Sequence, residues 1–450
     1  MAAIVRTKVE LFYDVVSPYS WFGFEALCRY RTHWKMDLVL RPFFLGGVMK
    51  ESGNRPPMMV PSKLLYMQKD LLRNAAYFGV PLKLIEDPFH VMIEKGTVKA
   101  QRFLTAIGDK HPEHLEGVSR ELWKRIWSRG EDIVEDENLH LAAKAANMKD
   151  VHIQECLKLL NDSSVKLALK KSTEAAIEYG AFGAPTIIVH SKGHPEIFFG
   201  SDRFPIIAQI MNEEWKGPSP EPKKMTSSPR IKVELYYDVV SPYTWFGFEV
   251  LCRYRHHWNM DLVLRPFFLG GVMKASGNKP PMTVASKGMY MQKDIQRSAE
   301  YFKVDLKLIE DPYNVLVQKG SLRAMRFLTA INLHCPQYLE SVSRELWRRI
   351  WSKGEDIVAD DSLIMAAKEA KMEENDIKEC LSKMDDSGTK DALKMATEQA
   401  VDYGAFGAPT IVVHAKEGPE MFFGSDRFPL VAQMMNEDWK GPVPDQKSKL

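Results

Sequence analysis

The chain has 450 residues, and its 61 Lys+Arg against 59 Asp+Glu leave a formal net charge of +2. That balance excludes a bulk basic field for nucleic acid and an acidic tail, so any charged ligand must be recognised locally. With 45% apolar and 10% aromatic residues, the composition is that of a globular protein of about two to four domains.

The first residues, Met-Ala-Ala-Ile-Val-Arg-Thr-Lys, run straight into a strand-like stretch. They leave no room for a secretory signal or an Arg-rich transit helix. No apolar run reaches the roughly eighteen residues of a membrane span, so none is expected. Val9 to Val16 is a β-branched and aromatic run that reads as a buried strand. Ser17-Pro18 then opens a helix, because Ser is a favoured N-cap and Pro suits the first helical position. Asp37 to Leu45 reads as a second strand. From about residue 58 to 178 the pattern is helical, with Leu115, Val118, Leu122 and Ile126 recurring at three and four residues. Thr186 to His190, a Ser-Lys-Gly-His-Pro turn, Glu196 to Phe199, and a last helix opened by Ser201-Asp202 complete the order: β-α-β, a long helical insert, β-β-α.

The whole series then recurs. Residues 9–57 match 233–281 with seven differences in forty-nine positions, at an offset of 224 that also pairs Trp123 with Trp347, Pro185 with Pro409 and Asp202 with Asp426. A solenoid repeats at about 20–50 residues, so this is a duplicated domain. The predicted boundaries are 1–218 for the first unit, with its core at about 1–57 and 179–218 and its helical insert at about 58–178. A proline-rich linker follows at 219–230. The second unit is 231–450, with core at about 231–281 and 403–442 and insert at about 282–402. The fold class is α/β: a thioredoxin fold with an inserted all-helical domain, duplicated in tandem.

The five cysteines, Cys28, Cys156, Cys252, Cys335 and Cys380, form no C-x-x-C. They read as buried thiols in a reducing compartment, not as a disulfide framework or zinc site. No phosphate-cradling Gly loop, His-x-x-x-His pair or acidic cluster appears, so neither metal nor nucleotide is expected. Trp123, Trp127, Trp347 and Trp351 read as core. The last three residues, Ser448-Lys449-Leu450, are the tripeptide read by the peroxisomal import receptor. They place the protein in the peroxisome ahead of the cytosol or mitochondrion.

The run Val-Glu-Leu-Phe-Tyr-Asp-Val-Val-Ser-Pro-Tyr-Ser-Trp, with Ser-Gly-Asn-Arg-Pro-Pro, Tyr-Gly-Ala-Phe-Gly-Ala-Pro and Phe-Phe-Gly-Ser-Asp-Arg, resembles the kappa-class glutathione transferases. The resemblance covers nearly all of each half. The related bacterial 2-hydroxychromene-2-carboxylate isomerases share this scaffold and use glutathione as a cofactor. The resemblance implies that glutathione is a co-substrate, and that Ser17 and Ser241 are the catalytic residues. They stand where thioredoxin-like oxidoreductases carry the first cysteine of C-x-x-C. Without cysteines in Ser17-Pro18-Tyr19-Ser20 and Ser241-Pro242-Tyr243-Thr244, disulfide exchange is excluded and the thiol must arrive on the substrate. A free thiol of pKa ~8.5 is only about 3% thiolate at pH 7, and a hydroxyl donor on a helix N-terminus can raise that fraction. Read without the family, each serine is simply a cap.

Pro185 and Pro409 match the cis-proline loop of this fold, with Ala184 and Ala408 offering their main chains to the cysteinyl unit; alone, Gly-x-Pro is a turn. Ser201-Asp202 and Ser425-Asp426 would take the γ-glutamyl end, a helix N-terminus suiting its carboxylate and aspartate its ammonium, or else act as N-caps. Pro18, Tyr19, Pro242 and Tyr243 complete the expected contacts around the serines. Asn54 and Asn278 carry over as side-chain contacts, or are Asx turns. Lys63 and Lys287 would pair with the glycyl carboxylate, or are solvated.

The expected activity is therefore conjugation of glutathione to electrophiles, for detoxification. The alternatives are a glutathione-dependent isomerase and, in another class, a non-catalytic glutathione-binding or scaffold protein. Kappa-class enzymes are dimers of one such domain, so an intramolecular pseudo-dimer or a homo-oligomer is expected.

Overall fold

A computed structural model of the chain describes residues 6–87, 95–191, 194–218, 230–309, 311 and 314–444. All of the linker but Arg230, the centre of the Ser-Lys-Gly-His-Pro turn and Ser448-Lys449-Leu450 lie outside the described residues.

The chain divides into two compact units. Unit 1 comprises Met1–Pro57, Met67–Lys223 and Pro281–Tyr290; unit 2 comprises Met58–Tyr66, Lys224–Pro280 and Met291–Leu450. The units follow the sequence repeat except at two corresponding short segments. The reason is visible inside each unit. In unit 1 the Tyr290 ring packs edge-on against Phe182 and Phe199, and its hydroxyl accepts the Phe199 N–H at 3.1 Å. In unit 2 Tyr66 packs in the same way on Phe406 and Phe423 and accepts the Phe423 N–H at 3.3 Å.

Each unit is built on a four-stranded sheet. In unit 1, β1 (Thr7–Tyr13) pairs in parallel with β2 (Met36–Pro42) and antiparallel with β3 (Thr186–Ser191), which pairs antiparallel with β4 (His194–Phe199). The order is β2-β1-β3-β4. Between β1 and β2 runs α1 (Pro18–Tyr30), as a parallel pair requires a crossover. The helices α2 (Leu45–Ser52), α3 (Pro61–Phe78), α4 (Val98–Lys110), α5 (Pro112–Lys124), α6 (Asp136–Ala145), α7 (Asp150–Lys158) and α8 (Ser163–Glu178) lie between β2 and β3, and α9 (Phe204–Met211) ends the unit.

Unit 2 repeats the order with β5 (Ile231–Tyr237), α10 (Pro242–Tyr254), β6 (Met260–Pro266), α11 (Leu269–Ser276), α12 (Ala285–Phe302), α13 (Leu322–His334), α14 (Leu339–Trp347), α15 (Asp360–Glu369), α16 (Glu374–Lys383), α17 (Ser387–Asp402), β7 (Thr410–Ala415), β8 (Gly418–Phe423) and α18 (Phe428–Met435). Its sheet order is β6-β5-β7-β8.

Among the element ends that differ from the sequence reading, three bear on the site. β1 stops at Tyr13, before Val16, because Asp14 starts a turn: its carbonyl accepts the Ser17 N–H at 3.0 Å and its carboxylate the Val16 N–H at 3.1 Å. β2 stops at Pro42, and Leu45 starts α2. The last helix opens at Phe204 behind Arg203, not at Ser201-Asp202. Gly200, at φ +98, donates to the Pro185 carbonyl at 3.1 Å and holds Ser201 and Asp202 in a bend ahead of the helix.

The helical faces are those of the expected period. α5 buries Leu115, Val118, Ser119, Leu122 and Trp123, a stripe at three- and four-residue spacing. Each such large apolar side chain contributes about 1.5–3 kcal/mol on burial. The core of unit 1 gathers Phe12, Phe43, Val48, Phe182, Ile188 and Ile197 with Tyr290, and that of unit 2 Tyr236, Phe267, Val272, Phe406 and Val412 with Tyr66.

Candidate functional site

The chemistry expected of Ser17 rests on where β1 ends. The turn from Asp14 delivers Ser17 to the N-cap of α1, with extended backbone (φ −87, ψ 113) and Pro18 as the first helical residue. Its hydroxyl accepts the Ser20 N–H at 3.2 Å, so the serine is a true cap worth about 1 kcal/mol. The same hydroxyl donates at 3.4 Å to the Ala184 carbonyl, 167 residues away. The cap and the loop before β3 therefore meet at one atom. Ser241 repeats both contacts, with Thr244 N–H at 3.2 Å and the Ala408 carbonyl at 3.5 Å. Ser17 and Ser241 are 5% and 7% exposed, so both serines are buried.

The peptides Ala184–Pro185 and Ala408–Pro409 are cis. Among the described residues no intramolecular acceptor takes the Ala184 or Ala408 N–H, and both alanines are half-buried. Gly183 precedes Ala184 where a Cβ would lie 2.8 Å from the Phe199 ring. Asn54 reaches the same loop: its side-chain amide donates to the Phe182 carbonyl at 2.6 Å, and its carbonyl oxygen accepts the Arg55 N–H at 2.9 Å. Asn278 donates to the Phe406 carbonyl at 2.6 Å. The asparagines thus tie the segments after α2 and α11 to the loops before the cis-prolines.

Ser201 and Ser425 are buried at 5% exposure, next to the glycines that bond Pro185 and Pro409. Asp202 pairs with Arg203 at 2.9 Å and Asp426 with Arg427 at 3.1 Å. The phenols of Tyr19 and Tyr243 donate to the buried carboxylates of Asp70 at 2.9 Å and Asp294 at 2.8 Å, while Pro18 and Pro242 are buried in the first turns. The lysines depart from the expected grouping. Lys63 belongs to unit 2, with Nζ 5.8 Å from the Phe406 ring centroid, and Lys287 to unit 1, 6.0 Å from that of Phe182. Burial holds the Lys63 ammonium below its ordinary pKa.

The tryptophans are core, at 0–3% exposure, and they also hold the site. The Trp123 indole donates to the Ser17 carbonyl at 3.2 Å and the Trp127 indole to the Val15 carbonyl at 3.3 Å, the latter from a π-helical turn at Arg125–Arg129. Trp347 donates to the Ser241 carbonyl at 3.3 Å, whereas the Trp351 indole has no partner among the described residues. Asp14 and Asp238, fully buried beneath the turns, were missed in the sequence; the only signal was an acidic residue closing an apolar strand. A cavity of about 770 Å³ beside Trp127, reaching from Lys83 to Val134, is lined by none of the expected glutathione residues. Among the described residues no cluster of His, Cys, Asp or Glu is placed to hold a metal ion.

The chain matches the DsbA-like thioredoxin domain over residues 8–212 and again over 232–436. It is 48% identical over 220 residues to glutathione S-transferase kappa 1 of Homo sapiens, covering 49% of this chain and 97% of that protein. It is 50% identical over 212 residues to the Rattus norvegicus protein of the same name, covering 47% and 94%. A solved structure of 2-hydroxychromene-2-carboxylate isomerase aligns with 45% of this chain and 94% of its own, at 19% identity and a TM-score of 0.37. Two domain matches at the sequence repeat, and relatives covered almost end to end by half of this chain, give one result: the chain belongs to the DsbA-like thioredoxin family, as two tandem units of the kappa glutathione S-transferase kind.

Proposed function

We propose that each unit binds glutathione and that Ser17 and Ser241 stabilise its thiolate for attack on an electrophile. The observation that carries this reading is the position of each serine hydroxyl, on a helix N-terminus and within reach of the main chain that precedes a cis-proline. A hydroxyl has one proton and two acceptor lone pairs. Ser17 can keep accepting the Ser20 N–H while its proton turns from the Ala184 carbonyl to a sulfur. The helix N-terminus adds a favourable dipole for the negative charge. The free N–H of Ala184 suits a peptide-like ligand laid beside the loop, and Ser201 with Asp202 suits an amino-acid end carrying both charges.

Glutathione-dependent turnover of a chlorinated aromatic tests the reading. Ser17→Ala should remove roughly half of the rate at saturating substrate, Ser241→Ala the remainder, and the double variant nearly all, while glutathione affinity weakens by only about 0.5–1.5 kcal/mol per site. A double variant with undiminished rate would reduce both serines to helix caps.

We further propose peroxisomal residence through Ser448-Lys449-Leu450. A tagged chain lacking Leu450 should be diffuse in the cytosol; unchanged punctate staining would reject the signal.

A further inference from the structure

Each candidate site stands on a buried aspartate that the proposed reaction does not use. Asp14 and Asp238 are 0% exposed and each closes the turn that presents a serine, since the Ser17 and Ser241 N–H groups donate to their carbonyls at 3.0 and 3.1 Å. The carboxylates bind more than their own turns. Asp14 Oδ1 accepts the Val16 N–H at 3.1 Å and the Gln101 side-chain amide at 2.9 Å; Oδ2 accepts the Leu45 N–H at 3.0 Å and the Thr97 hydroxyl at 3.0 Å. One side chain thereby ties the start of α1 to the first residue of α2 and to the opening of α4.

The second unit differs by one donor. Asp238 Oδ1 accepts the Val240 N–H at 3.1 Å, and Oδ2 accepts the Leu269 N–H at 2.9 Å and the Ser321 hydroxyl at 2.8 Å. At the position of Gln101 the second repeat carries Met325, also fully buried, whose side chain has no N–H to give. A carboxylate offers about four lone-pair positions. Asp14 fills all four, so a proton can bind only by displacing a hydrogen bond. Among the described residues Asp238 fills three, and its open position is on Oδ1, the oxygen whose counterpart Gln101 occupies in unit 1.

We propose that Asp14 and Asp238 are positioning residues for Ser17 and Ser241, and that the missing fourth donor gives the second site a proton switch that the first site lacks. This rests on the reading of the serines given above. Burial raises both carboxyls above the ordinary aspartate value. For Asp238, hydrogen bonds from Leu269, Ser321 and Val240 offset burial only in part, and it is pushed up to about 6. The groups facing Asp238 from α11, from the opening of α13 and from its own turn are neutral. Among the described residues the titratable side chain that feels it is Tyr237, beside it on β5, whose phenol burial pushes up and which shares a hydrogen bond with Ser343. Tyr13 stands likewise beside Asp14. Hydrogen bonds to an ionised acceptor are roughly twice as strong as neutral ones. Protonation of Asp238 therefore slackens three ties at once, and the turn that fixes Ser241 loosens as pH falls through that value.

The full chain with Ser17→Ala reports the second site alone, and with Ser241→Ala the first. In each, log kcat is followed against pH at saturating glutathione. Ionisation of the thiol gives both acid limbs a slope of about one, and the aspartate should steepen that of the second site toward about two below pH 6. Met325→Gln should return the second limb to about one, and Gln101→Met should steepen the first. Each residue is native to the corresponding buried position of the other repeat, so both variants are expected to fold, with melting curves as the check. Equal limbs in the two sites, or limbs unmoved by the exchange, would overturn the proposal. Should the serine variants leave turnover intact, the catalytic reading fails instead. Carboxyl 13C titration, assigned with Asp14→Asn and Asp238→Asn, then decides: Asp238 titrating above Asp14, and the exchange reversing them, supports the switch, whereas coincident titrations overturn it.

Discussion

At Ser17 a single oxygen caps a helix and faces the loop before a cis-proline, and the two tasks are compatible because a hydroxyl accepts and donates at once. A cysteine there would bring its own nucleophile; in the proposed function a serine supplies only a proton donor and the thiol comes from glutathione. The pH dependence of turnover follows. With the hydroxyl in place, the rate should reach its plateau below the ordinary thiol pKa of about 8.5; a serine-to-alanine site should need pH near that value. Gly183 shows the tolerance at this scale, since any Cβ would press on the Phe199 ring at 2.8 Å and shift the loop that carries Ala184. The serines, the prolines and the asparagines were legible as residues of interest because they stand in recurring motifs. That Lys63 is grouped in the unit of Ser241 and Lys287 in that of Ser17 was not legible, since spacing along a chain does not record which unit a helix start packs into.

The central strand β1 is the element that carries the site, and it is fastened on both sides by one buried carboxylate. Glu10 is 2% exposed, pairs with Arg41 on β2 at 2.7 Å and with His190 on β3 at 2.7 Å, and takes Lys8 at 3.2 Å. Burial alone would raise its pKa, but the hydrogen bonds from Arg41, His190 and Lys8 outweigh it and hold the carboxyl below the ordinary glutamate value. A lowered folded value means that the stabilisation is complete above the unfolded pKa of about 4.3 and is lost as pH falls through the folded one. Glu10→Gln should therefore melt lower than the native chain at neutral pH and lose less on acidification below pH 4.3, as thermal scans across that range would show. A variant with the parent's acid profile would mean that other carboxylates set it. The helices α5 and α14 hold the turn after the central strand of their own unit, β1 and β5 respectively, because their tryptophans place indole donors on the Ser17 and Ser241 carbonyls. Their burial was legible from amphipathic spacing. Their hydrogen bonds were not, because an indole N–H finds its acceptor only when two distant elements are packed.

On the scale of the whole molecule, duplication by itself suggests that residues 1–218 are self-sufficient. The compact unit containing Ser17, however, also includes Pro281–Tyr290. Removing that segment strips the Phe199 N–H of its acceptor and uncovers Phe182 and Phe199. The lost hydrogen bond costs about 0.5–1.5 kcal/mol and each aromatic pair a similar amount. For a domain of this size that is a fall of about 2–4 °C in Tm per kcal/mol. The isolated 1–218 fragment should melt several degrees below the full chain or self-associate at high concentration, as scanning calorimetry and sizing would report. A monomeric fragment with the parent's melting temperature would show that Tyr290 contributes nothing to the unit.

The sequence by itself determined the duplication, the thioredoxin order of strands and helices, the loss of C-x-x-C chemistry and the serine that replaces it. The first three follow from identity at a fixed offset, from periodicity and from residue type, and the place of the serine from the motif resemblance, all of which are local along the chain. Only the tertiary structure decided that β1 ends at a buried aspartate, that this aspartate has four donors in one unit and three in the other, and that each lysine is grouped apart from the serine of its own repeat. Burial and hydrogen-bond partners are properties of packed surfaces, and a single substitution such as Gln101 to Met325 acquires its meaning only where the packed carboxylate faces it.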